Sequence, residues 1–312
     1  MRIAILGATS QIAKDLVLSF AAQNTHELSL YARRPEVAST WLVANGLLGR
    51  YQVADFSAFC LDTHFDAIIN FVGVGNPVQI AEMGASIFDV TLNYDEMALD
   101  YVRQHTKCRY IFLSSGAAYG SNFDKPVDEN TKAAIPINNL QPQDWYGVAK
   151  LHAECRHRAQ PHLPIVDIRV FNYFSHTQDM AARYLITDIM RAIRDKTVLK
   201  TSAAPMVRDY INPSDFNRLI GAILDSPATN ATVDCYTKAP IEKITLLSVL
   251  QSRFNLNYEV VPTAVGIAAT GRKPNYYSLN RRAEGFGYQS RLTSLDGIEK
   301  EIRNFLEEAQ AV

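Results

Sequence analysis

Ser115 ends an apolar run, and Tyr146 and Lys150 follow it 31 and 35 residues later. Tyr146 and Lys150 are four apart, so on a helix they share one face, one turn above the other. A free phenol has a pKa of ~10 and exchanges protons poorly near neutrality. An ammonium one turn away favours the phenolate and lowers that value, which makes the pair a usable general acid/base. A serine hydroxyl at the end of a neighbouring strand can hold a reacting carbonyl or alcohol oxygen. Such groups position a C–O bond against a nicotinamide for hydride transfer. Singly each feature is weak, because a Tyr-x-x-x-Lys also describes a buried tyrosine with a snorkelling lysine; the ordered set is strong.

A second group opens the chain. Gly7-Ala8-Thr9-Ser10-Gln11-Ile12-Ala13 keeps the spacing of G-x-x-G-x-x-G with only its first glycine. It falls where a strand hands over to a helix, and a helix N-terminus attracts the pyrophosphate of a dinucleotide. Ser10 can offer its N–H and hydroxyl to phosphate or cap the helix, and Ala13 is small enough for close packing. The competing reading is an ordinary strand-to-helix turn. After the second strand the chain reads Tyr31-Ala32-Arg33-Arg34 rather than an acid. A cation there suits the 2′-phosphate of NADP, unless the two arginines are merely solvated. Asp55, after the third strand, can accept from an adenine amino group or cap the next helix.

These groups need a scaffold, and the periodicity supplies one. Short apolar runs at 2–6, 27–32, 51–54, 66–72, 109–113 and 164–170 read as strands. Helical patterns cover 11–22, 79–104, 144–159, 178–195 and 214–225. Buried strands alternating with helices make βαβ units, so the fold class is α/β: a doubly wound parallel sheet followed by a smaller mixed domain. The division expected is 1–172 for a dinucleotide-binding domain, to which 207–237 is able to return, and 173–312 for a smaller substrate-binding domain.

Composition narrows the rest. With 312 residues, 47% of them apolar, the chain can bury a large core. Lys plus Arg number 31 against 32 for Asp plus Glu, a formal charge of −1. No global basic field exists to bind nucleic acid or a membrane surface. The cysteines at 60, 108, 155 and 235 form no CxxC pair, so neither a zinc site nor a disulfide framework is expected. They read as reduced and mostly buried. The apolar run 2–6 is too short for a signal-peptide core, and no run reaches a membrane span's ~20 residues. A cytoplasmic protein without a metal is expected.

Taken together, the chain resembles the extended short-chain dehydrogenase/reductase family, of the nucleotide-sugar epimerase, dehydratase and ketoreductase kind, over nearly its whole length. The resemblance implies a Rossmann-type sheet with Ser115, Tyr146 and Lys150 as catalytic residues, the serine four before Tyr119-Gly120. It implies an active-site asparagine at Asn93, 22 residues before Ser115. It assigns cofactor contacts to Gly7, Thr9, Ser10, Gln11, Ile12, Arg33, Arg34, Asp55 and Phe71, besides Tyr146 and Lys150. Arg169-Val170-Phe171-Asn172 resembles the family's R-x-F-N, which gives Asn172 to the substrate diphosphate. Arg208, in Val207-Arg208-Asp209-Tyr210-Ile211, and Arg272, in Gly271-Arg272-Lys273-Pro274, resemble the two arginines that clamp it. For Arg208 an ion pair with Asp209 or Asp215 is the alternative. The tail 279–298 resembles the family's closing stretch.

Gly116 and Ala117 stand where the family's dehydratases carry Asp-Glu, which disfavours water loss. The leading expectation is a 4-keto sugar reductase using NADP, because of Arg33. The alternatives are an epimerase that holds NAD tightly and a non-catalytic dinucleotide sensor. The family also implies a homodimer through the helices at 79–104 and 144–159.

Overall fold

The computed structural model describes residues 1–73, 77–262 and 273–311. The first half alternates strand and helix: β1 (Arg2–Leu6), α1 (Gln11–Gln23), β2 (Glu27–Tyr31), α2 (Pro35–Ala44), β3 (Gln52–Ala54), β4 (Ala67–Asn70), α3 (Pro77–Met83), α4 (Ser86–Gln104), β5 (Arg109–Ser115), α5 (Pro142–Arg158) and β6 (Ile165–Val170). Next come β7 (Asn172–Tyr173), α6 (Leu185–Asp195), β8 (Val198–Ser202), β9 (Val207–Arg208), β10 (Tyr210–Ile211), α7 (Pro213–Asp225) and β11 (Ala231–Asp234). The chain ends with β12 (Ile241–Glu242), α8 (Lys243–Phe254), β13 (Asn257–Val261), β14 (Asn275–Tyr276) and α9 (Ser294–Ala311).

Seven strands form one parallel sheet in the order β11-β6-β5-β4-β1-β2-β3. This is the doubly wound, Rossmann-like α/β fold. Its strands are aliphatic because both faces are covered: β4 is Ala-Ile-Ile-Asn and buried throughout. On one face Leu16, Val17 and Phe20 of α1 pack with Phe216, Leu219, Ile220 and Ile223 of α7. On the other, Ala98, Leu99, Tyr101 and Val102 of α4 meet Ala153 of α5. Each large side chain so buried contributes ~1.5–3 kcal/mol. A separate core joins Ile186 and Met190 of α6, Leu246 and Leu250 of α8 and Ile302 of α9.

The sheet reverses its winding between β1 and β4, so a crevice opens at their C-terminal ends. Gly7 leaves β1 there and Phe71 leaves β4. Ser115 stands one strand further along, at the end of β5.

Two helices differ from the periodicity. The pattern at 79–104 is broken into α3 and α4, with Gly84 between them at a φ of +52°. The pattern at 178–195 is helical only from Leu185. Upstream, the Asp179 carboxylate accepts from the Ala181 N–H (2.8 Å), and Tyr184 is extended with its N–H on the Thr187 hydroxyl (3.1 Å). Side-chain acceptors thus capture amides that a helix needs. Cys108 and Cys235 are buried, but Cys60 and Cys155 are exposed, so the cysteines are not mostly interior.

Candidate active site

The end of β5 turns directly into a 3-10 segment at Gly116–Tyr119, with Ser115 as its cap. The Ser115 hydroxyl oxygen accepts from the Ala117 N–H at 3.2 Å and shares a hydrogen bond with Tyr146. α5 starts with Pro142 at its first turn and a reciprocal cap between Gln141 and Asp144, and this start fixes Tyr146 over the β5 end. Gly147 allows the approach: a Cβ there would lie 2.5 Å from the Ala117 carbonyl oxygen.

Lys150 is buried, and its ammonium donates to the Leu113 carbonyl at 2.7 Å and lies 4.4 Å from the centre of the Phe112 ring. Burial pulls its pKa down to about 8, against the raising influence of Asp95, Glu154 and Asp167. Tyr146 departs from the sequence expectation. Its pKa is raised by burial, opposed only by the Ser115 hydrogen bond. The lysine one turn away is engaged with β5, so Tyr146 is held as a neutral phenol.

Asn93 is not brought to this place. It is exposed on α4, whereas Thr91 and Asp95, two residues to either side, are buried. A step of two residues turns a helix by ~200°, which points position 93 away from the sheet.

The dinucleotide candidates lie around the β1–β4 crevice. Gly7 has a φ of +81°, and a Cβ would meet the Val72 nitrogen at 2.9 Å and the Phe71 carbonyl carbon at 3.0 Å. The close crossing of the β4 end therefore requires glycine. Ser10 caps α1 by position, yet its hydroxyl makes no capping hydrogen bond. That hydroxyl and the first-turn N–H groups, which have no intrahelical acceptor, fit a pyrophosphate. Thr9, Ser10 and Ile12 are half-buried at the turn. The Gln11 side chain instead donates to Asp15 (3.2 Å) and Thr177, in a cluster where Tyr173 also donates to Asp15 (2.7 Å). The Phe71 side chain belongs to the core, 6.3 Å from the Phe216 ring, and only its backbone borders the turn. Arg33 and Arg34 are exposed beyond β2. Asp55 is exposed and accepts from the Ser57 N–H at 2.9 Å, which lowers its pKa.

On the other side of Ser115 the structure assembles Tyr276 and Lys273, which the sequence reading missed, with Arg208 and Asn172, which it named. The Tyr276 hydroxyl lies 3.4 Å from the Ser115 hydroxyl. Over the Tyr276 ring stand two cations, Lys273 at 4.7 Å and Arg208 at 5.8 Å from its centre. Lys273 has a pKa lowered to about 8 by burial and then by Arg208. Arg208 donates to the carbonyls of Val207 (2.8 Å) and Pro274 (3.4 Å). It pairs with neither Asp209, which serves Thr237 and Ser294, nor Asp215, which serves Arg218 and the Arg291 and Leu292 amides. Asn172 donates to the carbonyls of Asp209 and Tyr276, both at 3.2 Å, and so ties β7 to this wall. Arg272 lies outside the described residues. A cleft lined by Ala117, Gly120, Pro136, Asp144, Gly147 and Lys273 adjoins the Tyr276 wall. Two half-buried cations, of which Arg208 forms no ion pair among the described residues and Lys273 has only Asp144 acting on it from across the cleft, suit an anion.

A family model described as the NAD dependent epimerase/dehydratase family matches residues 3–236. UDP-glucose 4-epimerase 2 of Oryza sativa subsp. japonica is 24% identical over 244 residues, 71% of this chain and 58% of that protein, so the match spans little more than half of the relative. Among solved structures, UDP-glucuronic acid 4-epimerase from Bacillus cereus with UDP-glucuronic acid and NAD is 17% identical, with 99% of this chain and all of that chain covered and a TM-score of 0.76. UDP-N-acetylglucosamine 4-epimerase from Methanobrevibacter ruminantium M1, in complex with UDP-N-acetylmuramic acid, is 14% identical, covering 99% and 98%, with a TM-score of 0.81. The dTDP-glucose 4,6-dehydratase from Bacillus anthracis str. Ames, in complex with NAD, is 15% identical, covering 100% and 98%, with a TM-score of 0.77. At these identities the structures testify to the fold.

Proposed function

The chain belongs to the NAD dependent epimerase/dehydratase family, and from that premise we propose that it is a nucleotide-sugar epimerase that keeps NAD bound between turnovers. The carrying observation is the hydroxyl pair Ser115 and Tyr146 at the end of β5, with Lys150 one helical turn on and a two-cation wall beyond Tyr276. Several solved relatives are described as UDP-sugar 4-epimerases with NAD, which favours this reading over the NADP-dependent reductase expected from Arg33.

The turn from Gly7 to Ile12 and the start of α1 would hold the dinucleotide, with Asp55 towards its adenine end and Lys150 towards its nicotinamide ribose. When bound, the nicotinamide supplies a reversible acceptor of hydride. Ser115 holds the oxygen of the reacting sugar carbon through its hydroxyl. Tyr146, once its own proton has left to solvent, takes the proton of that alcohol at its phenolic oxygen and returns it. Lys150 stabilises the phenolate while it exists. Arg208 and Lys273 bind the diphosphate, with Asn172 holding the two segments that carry them through the Asp209 and Tyr276 carbonyls. Gly116 and Ala117 offer no acid to a leaving hydroxyl, so this set of groups exchanges a proton without expelling water. The division of labour we propose gives the cofactor to 1–172 and the sugar nucleotide to the part from 173 onward, with α7 and β11 serving the large sheet.

The test releases the cofactor from purified protein by denaturation and identifies it. The native protein is then incubated with UDP-glucose, UDP-N-acetylglucosamine and UDP-glucuronic acid, without added cofactor, and the C4 epimer is followed by NMR. Retained NAD and an epimer from at least one substrate support the reading. Consumption of NADPH by a 4-keto sugar, with no epimer formed, replaces it by the reductase. Arg33 and Arg34 favour that second reading, being exposed cations at the end of β2 with no carboxylate partner among the described residues. The ratio of NADP to NAD dissociation constants, in the wild type and in Arg33→Ala, decides their part.

A further inference from the structure

Three consecutive residues at the end of β5 are each bound to a different turn of α5. Ser115 meets Tyr146, the Leu113 carbonyl takes the Lys150 ammonium, and the Ser114 hydroxyl donates to Glu154 at 2.5 Å. Tyr146, Lys150 and Glu154 stand at i, i+4 and i+8, so one face of the helix reads the strand rung by rung. Glu154 is 3% exposed and makes the strongest rung. Besides Ser114, its carboxylate accepts from Arg169 at the end of β6, through Nε (3.0 and 3.1 Å) and Nη2 (2.5 Å). A fully buried carboxylate in such a place is costly unless its charge is used or matched.

We propose that Glu154 is a positioning residue of the site: it locks α5 in register with β5, so that Tyr146 meets Ser115, and its negative charge keeps Lys150 in the ammonium form. The proposal rests on the reading of Ser115, Tyr146 and Lys150 as the reacting groups, but its test is made on the lysine itself. The charged and titratable groups set around Lys150 come from every element packed there. Asp95 on α4, Glu154 on α5 and Asp167 on β6 act on it, and Tyr110 on β5, His157 on α5 and Arg169 on β6 are bonded to those carboxylates. His157 is clamped between Asp167 (2.6 Å) and Asp95 (2.7 Å), and its raised pKa of about 9 makes it a cation there. Arg169 is paired with Glu154 and reaches Asp234 at 3.5 Å. Removing the charge of Glu154 therefore strips a carboxylate from the lysine and leaves the Arg169 cation less compensated. Both changes push the lysine towards the neutral amine. Arg169 in turn holds Glu154 ionised against the cost of burial.

The experiment titrates Lys150 in the full chain with isotope-labelled lysine side chains, followed by NMR and assigned by the signal lost in Lys150→Arg. The wild-type midpoint is expected near 8. Glu154→Gln should lower it by about one unit, and Glu154→Asp, which keeps the charge, should stay close to wild type. A midpoint that moves when the charge is lost at nearly constant shape, but not when the side chain is shortened with its charge kept, distinguishes this role from a structural one. A midpoint unmoved in Glu154→Gln, or displaced as far in Glu154→Asp, overturns the proposal. Because no substrate is involved, this result stands apart from whether the protein epimerises a sugar.

Discussion

At Tyr146 two influences compete, and burial wins: the hydroxyl is held above its ordinary pKa, with Ser115 as the opposing partner. It is thus a proton donor at rest and becomes an acceptor only when a cation moves closer. Tyr146→Phe removes the hydroxyl and nothing of the packing, so turnover in the epimerisation assay should fall by ~10²–10⁴-fold. The thermal midpoint and the NAD content should remain as in the wild type. Near-normal turnover in that variant would exclude Tyr146 as the acid/base. Lys273 provides a pH signature. Its folded pKa of about 8 lies below the ordinary lysine value, so it is a cation below pH 8 and becomes neutral as the pH rises through that point. Substrate KM should climb above pH 8, besides any fall in kcat as Lys150 loses its own proton near the same pH. Lys273→Arg, whose charge does not titrate in this range, should abolish the climb, and a KM equally flat in wild type would remove Lys273 from substrate binding. Ser115, Tyr146 and Lys150 were legible in the sequence because their types and order carry the chemistry. Tyr276 and Lys273 were not, since they lie more than a hundred residues away in a stretch without helical or strand period. Only the folded chain sets Tyr276 3.4 Å from Ser115.

The register between α5 and the β5 end depends on one hydrogen atom at Gly147. A methyl group there would lie 2.5 Å from a backbone carbonyl oxygen, which cannot swing aside as a side chain can. Gly147→Ala should therefore drive α5 outward, lowering the thermal midpoint by an amount matching ~1–3 kcal/mol of overpacking. It should also reduce kcat more than KM, because Tyr146 and Lys150 ride on the helix that moves. Calorimetry together with steady-state kinetics tests this, and a variant of wild-type stability and kcat would show that the contact relaxes freely. Most elements of the sheet were readable from short aliphatic runs, because strands buried on both faces have little choice of composition. Helix ends were less so. Gly84 interrupts a pattern whose apolar spacing runs on across it, and the helix at Leu185 starts late because Asp179 and Thr187 capture the upstream amides. The clamp of His157 between Asp95 and Asp167 was also invisible, since its members come from three elements whose mutual approach no local pattern encodes.

For the molecule as a whole, the winding of the sheet puts the Gly7 turn, Ser115 and the Tyr276 wall at the same C-terminal edge, and the family-level fold expectation holds there. Among the described residues no helix is long and apolar enough to cross a membrane. How many chains make up the working protein is a separate matter, and it bears on α4 and α5. These two helices lie side by side on one face of the sheet, joined by Arg156 to Asp95 at 2.8 Å and by the His157 bond to the same carboxylate. The outward side of α4 presents Leu92, 38% exposed, beside exposed Asn93 and Asp89. A two-fold axis across this side would set α4 against α4 and α5 against α5 in a self-complementary four-helix contact, and a lasting pair needs ~1,600 Å² of total buried surface. The wild type is therefore expected to be a dimer by light scattering at micromolar concentration. Leu92→Glu should yield a folded monomer, because it sets a charged side chain in place of an apolar one on the contact face. Its circular dichroism spectrum and bound cofactor should match those of the wild type, since the side chain touches neither the core nor the Gly7 turn. A monomeric wild type, or a Leu92→Glu variant that scatters as a dimer, would move the contact elsewhere or dispense with it.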